Sequence, residues 1–280
     1  MRATLKYPES MEFVDRGFAP GKCRAESTLG LCRTRLGLKP ELQTLVLFLA
    51  FVFSFKVVAA DEHDFVAEAE AAYRAAQAAY STNQTTEAAI TVARTAFDDA
   101  DLAPNDNIRE NIANIGIATA RSVIASKTNS VAAHYYLALN IGQLARTKML
   151  GALKLLTEME HELKIVIQLD PKFDYAGGYR TLGVLYEEAP GWPTSVGSKS
   201  KARANLEKAL ELAPEDPDNH LSYLEALVKW KEWKLATEKL SDYKTILPAA
   251  KQKFTGPDWD YEWHDWAKRE QAIQTKLQKH

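Results

Sequence analysis

Seven side chains in this sequence have the types that recognise a ligand, and their positions depend on the elements that carry them. They combine aromatic rings, which offer flat apolar contact, with a guanidinium, a carboxylate and an imidazole. The seven are Tyr135, Arg180, Glu187, Trp192, His220, Tyr223 and Trp230. This mixture can bind an extended peptide or an anionic small molecule, with the Arg180 guanidinium holding a carboxylate through two hydrogen bonds.

Catalytic and metal-binding patterns are missing from the sequence. The six histidines are scattered and never take an H-x3-H spacing, and His161-Glu162 lacks the second histidine of a zinc helix. The hydrolase, NTPase and dinucleotide motifs G-x-S-x-G, G-x4-G-K and G-x-G-x-x-G are absent as well. The turn Glu215–Asp218 is interpreted as a solvated loop with helix-cap chemistry. We therefore expect no enzyme, no cofactor and no metal.

The N-terminal quarter of the chain predicts export. Residues 45–55 read LVLFLAFVFSF, follow basic residues at 33, 35 and 39, and precede Val58-Ala59-Ala60. This order predicts a signal peptide over 41–60 and a mature start at Asp61. The alternative is an uncleaved membrane anchor through 42–60, although a span of about 20 residues would take in polar positions. Residues 1–40 read as an over-extended gene start or a disordered tail.

Removing this leader changes the composition of the chain. Both cysteines, Cys23 and Cys32, lie before the cleavage site, so the mature part has no disulfide and no catalytic thiol. Taking the nine basic and five acidic residues of positions 1–60 from totals of 35 and 37 leaves a net charge of −6. We expect a periplasmic or secreted protein without a nucleic-acid partner, since no basic stripe is present.

From Glu68 onward the apolar residues recur at helical spacing, and one pattern repeats. A small or apolar residue is followed by others at +4 and +7 and by a helix-stopping residue at +12. The copies are Ala202-Leu206-Ala209-Pro214, Ala236-Leu240-Tyr243-Pro248, Gly116-Ala120-Val123-Thr128 and Met159-Leu163-Val166-Pro171. A new helix with a small inner residue, Ala138, Gly183 or Ala226, follows a stop.

This alternation is the tetratricopeptide arrangement. It predicts an all-α fold, an α-solenoid of about four degenerate tetratricopeptide-like hairpins over 61–254, against the alternative of a non-repetitive helical bundle. The first helix of each hairpin lines the concave side. Counting along the first helices from Ala138, Gly183 and Ala226 places six of the seven side chains of the opening paragraph in that groove. Trp192 is the exception. Arg180 paired with Glu187 across the groove is the open alternative.

Two further features flank the repeats. The insertion 190–198 holds Trp192 between prolines and glycines. A ring of this size is expected to be at least partly covered. The insertion is therefore interpreted either as part of a binding face or as a loop that packs Trp192 over a hairpin end. Over 255–280, Trp259, Trp263 and Trp266 follow Asp258 as N-cap and predict a C-terminal capping helix. A partner-binding aromatic patch is the alternative.

The stretches 132–146 and 169–227 resemble exported bacterial tetratricopeptide proteins of the T-component type, which are associated with tripartite ATP-independent periplasmic (TRAP) transporters. The matching residues are Tyr179-Arg180-x-Leu182-Gly183, Pro190-Gly191-Trp192-Pro193 with Gly197, and the Ala-Pro-x3-Asp-x-His junction ending at His220. The resemblance implies a periplasmic accessory that contacts a substrate-binding protein and passes a small organic ligand.

Two functions remain open at this stage. The first is an exported, non-catalytic scaffold or adaptor that binds a protein partner. The second is a TRAP-type transport accessory that binds or conducts a small organic ligand at Arg180 and Trp192. In either case the chain would meet a membrane only through an uncleaved signal segment.

Overall fold

The structure is a computed structural model that describes residues 64–148 and 151–280. These residues form ten α-helices and one short 3-10 helix, without a β-strand among them. The helices are α1 (Phe65–Thr82), α2 (Thr86–Leu102), α3 (Asp106–Ser126), α4 (Val131–Arg146), α5 (Ala152–Leu169), α6 (Phe173–Glu188), α7 (Lys199–Leu212), α8 (Pro217–Lys229), α9 (Trp233–Lys253), the 3-10 helix Pro257–Trp259 and α10 (Asp260–Leu277). The predicted signal segment and the residues before it lie outside the described residues.

The helices pack as antiparallel hairpins that stack on one another. Four hairpins, α2/α3, α4/α5, α6/α7 and α8/α9, are present in the described part of the chain, and α1 packs on α2. Their first helices, α2, α4, α6 and α8, also contact each other in that order, and α10 lies on α8. The prediction of an all-α solenoid of about four hairpins is confirmed.

The second helix of each hairpin carries the repeating apolar seam. In α7, Ala202, Leu206 and Ala209 are each 0 % exposed, because offsets of four and seven residues place them on one face. Ser198 caps this helix, its hydroxyl accepting from Lys201 N at 3.4 Å. The equivalent residues of α3, α5 and α9 are buried as well. The +4 and +7 offsets in the sequence therefore identified the four second helices.

Small residues let neighbouring helices approach each other closely, both within a hairpin and between hairpins. A Cβ added at Gly183 would lie 2.7 Å from Leu206 Cγ on the facing helix, a separation that packed atoms do not reach. At Gly116 of α3, a Cβ would clash with the Asn140 side-chain amide of α4. The predicted close approach at Gly183 is confirmed.

Pro248 does not end its helix, contrary to the sequence pattern. α9 continues to Lys253 although Pro248 lacks the N–H that would bond the carbonyl one turn earlier. The additional turn buries Ala250 and delivers Phe254 to a buried position. This tertiary packing offsets the lost hydrogen bond, so the predicted stop at Pro248 is wrong.

The C-terminal helix begins later than predicted. Asp258 lies within the 3-10 turn, and α10 starts at Asp260 with no side-chain cap, so the assignment of Asp258 as N-cap is wrong. Trp266 is 1 % exposed, with its ring centroid 4.8 Å from that of Trp263 and 6.2 Å from that of Trp259. The tryptophan stripe is therefore mainly a packing surface.

The first and last helices of the described chain touch each other. The Phe65 ring centroid lies 5.3 Å from that of Tyr261 and 5.4 Å from that of His264. Burial raises the pKa of Tyr261, and the carboxylates of Asp101 on α2 and Asp265 on α10 raise it further. The start of α10 thus lies near both α1 and α2, which brings the two ends of the helical array together.

Candidate functional site

The loop between α6 and α7 presents Trp192 to solvent. Its side chain is 87 % exposed, whereas the sequence led us to expect at least partial cover for so large a ring. The interpretation of a tryptophan tucked over the hairpin end is therefore not what the structure shows.

Backbone hydrogen bonds hold this loop in one shape. Gly197 N donates to Pro190 O at 2.9 Å, and Ser198 N donates to Tyr186 O of α6 at 2.8 Å. A Cβ at Gly197 would clash with the Ala189 carbonyl, so only glycine fits there. These hydrogen bonds and this close approach hold the backbone of the loop that presents Trp192.

Arg180 lies inside the protein, not in an open groove. Its residue exposure is 2 %, and its partners are acidic or amide side chains of the protein itself. Nη1 donates to Asn219 Oδ1 at 3.0 Å, and Nε lies 3.2 Å from Asp218 Oδ2. The prediction that Arg180 offers its guanidinium to a ligand carboxylate is not met, since α8 already supplies that carboxylate.

Asp174 joins Arg180 to Tyr135. Its Oδ2 accepts from the Tyr135 hydroxyl at 2.8 Å and from Arg180 Nη2 at 3.3 Å. A Cβ at Gly177 would lie 2.5 Å from the Tyr135 oxygen, so this glycine makes room for the contact. Tyr135, predicted to line the groove, is 1 % exposed and buried in this network.

The backbone around Asp174 is itself unusual. Asp174, Tyr175 and Ala176 take φ values of +50°, +53° and +62° within the first turn of α6. Non-glycine residues adopt this left-handed region at a cost. The bonds of the Asp174 carboxylate to α4 and to Arg180 help to hold this turn in place.

The network continues to the C-terminal helix through Asp218. Arg269 Nη1 lies 2.6 Å from Asp218 Oδ1, and Arg269 Nε and Nη2 bond Glu225 at 2.8 Å each. Asp216, whose side chain caps α8 through Asp218 N at 3.0 Å, is 0 % exposed. The carboxylates of this turn were predicted to be solvated, and for Asp216 and Asp218 that is wrong.

We call this group the buried ionic network: Tyr135, Asp174, Arg180, Asp216, Asp218, Asn219, Glu225, Asp265 and Arg269. It joins the first helices α4, α6 and α8 to α10. Sequence reasoning missed Asp174, Asp218 and Arg269, because their spacing matches no known motif. The one usable signal was Arg180, a lone arginine on a helix otherwise rich in small and apolar residues.

Glu187 pairs with Lys229 instead of Arg180. Lys229 Nζ lies 2.7 Å from Glu187 Oε2 and 3.0 Å from Glu188 Oε1, which joins α8 to the end of α6. Burial, and next a hydrogen bond with Glu188, raise the pKa of Glu187 to about 7. The cross-groove pair of Arg180 and Glu187 does not form.

The remaining predicted residues occupy separate places. His220 is half-buried with Nε2 2.7 Å from Pro214 O, and burial lowers its pKa. The Tyr223 hydroxyl donates to Glu207 Oε1 at 2.7 Å, and burial together with this bond raises the pKa of Tyr223 to about 12. The seven predicted side chains therefore do not converge on one site.

Trp230 lies beneath two cations at the start of α7. Lys199 Nζ is 5.1 Å from the indole centroid and the Arg203 guanidinium carbon is 4.8 Å from it, both within range of a cation–π contact. Arg203 also forms two bonds to Glu232, at 2.6 and 2.7 Å. Lys199 and Arg203 belong to the first turns of the helix that follows the Trp192 loop, residues 190–198, and both are anchored on Trp230.

Other kinds of site are not seen in the described residues. Across 64–148 and 151–280, no group of three or more histidine, cysteine or acidic residues is placed to hold a metal ion. Within the same ranges, no helix combines the length and apolarity that crossing a membrane requires. A cleft of about 590 Å³ does open between α9 and α10.

Comparison with known proteins supports the fold. No protein-family model and no curated protein sequence matched this chain. Among solved structures, a thermophilic tetratricopeptide (TPR) protein from Thermus thermophilus is similar, with a TM-score of 0.54 and 18 % sequence identity. The match covers 81 % of this chain and 96 % of that chain.

The chain has a TPR-like helical-repeat fold. The predicted arrangement of four hairpins is in keeping with this similarity. Stacked hairpins of this kind build an extended concave surface.

Proposed function

We propose that this TPR-like protein is a non-catalytic adaptor that binds a partner protein through the Trp192 loop. The observation that carries the proposal is the 87 % exposure of the Trp192 side chain on a hydrogen-bonded loop. Tryptophan is enriched among the residues that dominate binding energy at protein interfaces. A loop whose backbone is already held in one shape loses little conformational freedom when a partner covers it.

The surroundings of the loop suit a protein partner with mixed polarity. Lys199 and Arg203 stack on Trp230, and Lys201 Nζ lies 5.0 Å from the Tyr186 ring centroid. Cations anchored on aromatic rings supply a polar rim around an apolar anchor, the usual anatomy of an interface. The proposed partner therefore offers an apolar pocket for Trp192 with acidic groups beside it.

The test compares partner capture by the exported protein and two variants. Trp192→Ala removes the proposed anchor, and Leu169→Ala truncates another exposed apolar residue at a different turn, 41 % exposed. A partner cross-linked by the wild type should bind Trp192→Ala about 30-fold more weakly, as expected for loss of a dominant contact. Leu169→Ala should retain it, and equal capture by all three proteins would contradict the proposal.

Export is the second part of the proposal. It rests on the apolar run 45–55 between basic residues and Val58-Ala59-Ala60. We propose that the mature chain starts at Asp61 and works in the periplasm or outside the cell. N-terminal sequencing of protein recovered from the periplasm should begin at Asp61, and a sequence that starts well upstream would point to an uncleaved anchor.

The finer assignment is a TRAP-type accessory whose partner is a periplasmic substrate-binding protein. It rests on the likeness of the Pro190–Pro193 loop and the His220 junction to T-component sequences. Purified substrate-binding proteins encoded beside this chain's gene are the partners to try first. Saturable binding that is lost in Trp192→Ala would support this partner, and capture of unrelated proteins alone would count against it.

A further inference from the structure

The cleft between α9 and α10 has rigid aromatic walls. Trp263 Nε1 donates to Phe254 O at 2.7 Å, which fixes the indole, and the Phe254 ring lies 4.6 Å from that of Trp259. Leu247 and Ala267 complete the apolar lining. A volume of about 590 Å³ is within the range of small-molecule sites. The walls are formed before any ligand arrives.

The hydroxyl of Tyr243 lies at the wall of this cleft. Tyr243 lines the cleft, is 1 % exposed, and its hydroxyl forms no hydrogen bond with any residue that the structure describes. Because no described residue bonds this hydroxyl, it is available to a ligand group that enters the cleft. The hydroxyl can accept from, or donate to, such a group.

The charge beside Tyr243 is negative. Glu270 also lines the cleft, and its Oε1 accepts from Gln274 Nε2 at 2.6 Å. Burial, and next the Glu270 carboxylate, raise the pKa of Tyr243, while the opposing effect of Arg269 is smaller. A hydrogen-bond donor that carries positive charge is therefore favoured at this end of the cleft.

The opposite wall already accommodates an ammonium group. Lys251 Nζ lies 6.0 Å from the centroid of the Trp263 ring, at the outer limit of a cation–π contact. The side chain of Lys251 is exposed at the rim and can swing away into water. The indole face is thus open to a flat or cationic group of a ligand.

We propose that this cleft binds an organic ammonium ion carrying an aromatic ring, with the ring against Trp263 and Leu247 and the ammonium group at Tyr243 and Glu270. The ammonium group can belong to a free amine or to a lysine beside an aromatic residue in a partner chain. This site is separate from the Trp192 loop and does not depend on the adaptor function.

The experiment is calorimetric titration of the full-length chain with two ligands of equal ring and opposite charge. Tryptamine should bind saturably, and indole-3-propionate should bind at least about tenfold more weakly, because Glu270 repels a carboxylate. Similar affinities, or no saturable binding of tryptamine up to millimolar concentration, would overturn the proposal.

Three variants locate the site. Glu270→Gln should weaken tryptamine binding about tenfold, and Tyr243→Phe about two- to tenfold, the effect of one hydrogen bond. Glu238→Gln changes an exposed carboxylate of α9 that does not line the cleft and should bind as the wild type does. Unchanged tryptamine binding in both cleft variants would overturn the assignment.

The fold of Tyr243→Phe is checked by its melting temperature. Since no residue in 64–148 or 151–280 bonds this hydroxyl, its removal should leave stability unchanged or slightly higher. A clear loss of stability would show that the hydroxyl already has a partner, which would also contradict the proposal.

A competition experiment distinguishes the two origins of the ammonium group. If acetyl-Trp-Lys-amide competes with tryptamine, the ligand is a lysine beside an aromatic residue of a partner chain. If it does not compete, the ligand is a free amine.

Discussion

Asp218 is shared by two buried arginines, with Oδ2 3.2 Å from Arg180 Nε and Oδ1 2.6 Å from Arg269 Nη1. The three residues belong to α8, α6 and α10, so one carboxylate joins three layers of the array. Each charge is removed from water and stabilised by the others, an arrangement that tolerates the loss of a partner poorly.

Replacing Asp218 by asparagine should destabilise the protein by about 3 to 5 kcal/mol, because two buried guanidinium groups lose their common counter-ion. Urea unfolding followed by circular dichroism measures the change. Asp242→Asn is the matched control, since Asp242 forms a surface pair with Lys239 at 2.9 Å, and should cost no more than about 1 kcal/mol. Equal effects of the two variants would show that the network contributes nothing special.

Adding one methyl group at Gly183 should destabilise the α6/α7 hairpin. The new Cβ of Gly183→Ala would lie 2.7 Å from Leu206 Cγ, and overpacking of this kind costs about 1 to 3 kcal/mol. Gly191→Ala serves as control, because its Cβ would meet no atom closer than 3.8 Å. If thermal unfolding placed both variants at the wild-type midpoint, the close helix contact would be in doubt.

Stability should depend on Glu187 between about pH 4.5 and pH 7. A carboxyl whose pKa is raised by folding binds its proton more tightly in the folded state, so its contribution is fully present below the unfolded pKa and is lost as the pH rises through about 7. Because the group is partly screened by solvent, we expect a loss of about 1 to 2 kcal/mol.

Glu187→Gln removes this titration while Glu188 and Lys229 remain. Relative to the wild type, the variant should gain stability between pH 5 and pH 7.5, measured as the shift in urea midpoint. Glu238→Gln, on an exposed face of α9, should keep the wild-type pH profile. A parallel profile for Glu187→Gln would mean that the carboxyl titrates normally in the folded protein.

The contact between the two ends of the array should depend on Phe65. Phe65→Ala removes two ring contacts of about 1 kcal/mol each or less, and amide exchange in α1 and at the start of α10 should become faster. Val66→Ala, at a neighbouring residue that is 47 % exposed, is the control. Unchanged exchange in Phe65→Ala would argue that the ends do not meet in solution.

The repeat pattern predicted the second helices well and the site poorly, for one physical reason. Offsets such as Ala202, Leu206 and Ala209 report which face of a helix is apolar, and an apolar face must be buried. The same offsets place Arg180 on the inner side of α6 without revealing what covers that side. That side of α6 is covered by Asp218 and, through Asp218, by Arg269, which lies 89 residues after Arg180. No local spacing in the sequence predicts contacts between residues so far apart.

Turn chemistry was predicted with mixed success. The insertion 190–198 was recognised from its prolines and glycines, which limit the backbone wherever they occur. The exposure of Trp192 depends instead on the hydrogen bonds of Gly197 and Ser198, and these are visible only in three dimensions. Pro248 misled for the opposite reason, since the packing of Ala250 and Phe254 outweighs a local preference.

The shared carboxylate of Asp218 bears on how the molecule comes apart. Stacked repeats joined only by apolar neighbours can peel away one at a time from either end. Here, detaching α10 would remove Arg269 and leave the buried Asp218 carboxylate without one of its two arginine partners. When the molecule is stretched between its termini in an optical trap, α6, α8 and α10 should therefore unfold together, in one step of the force–extension curve.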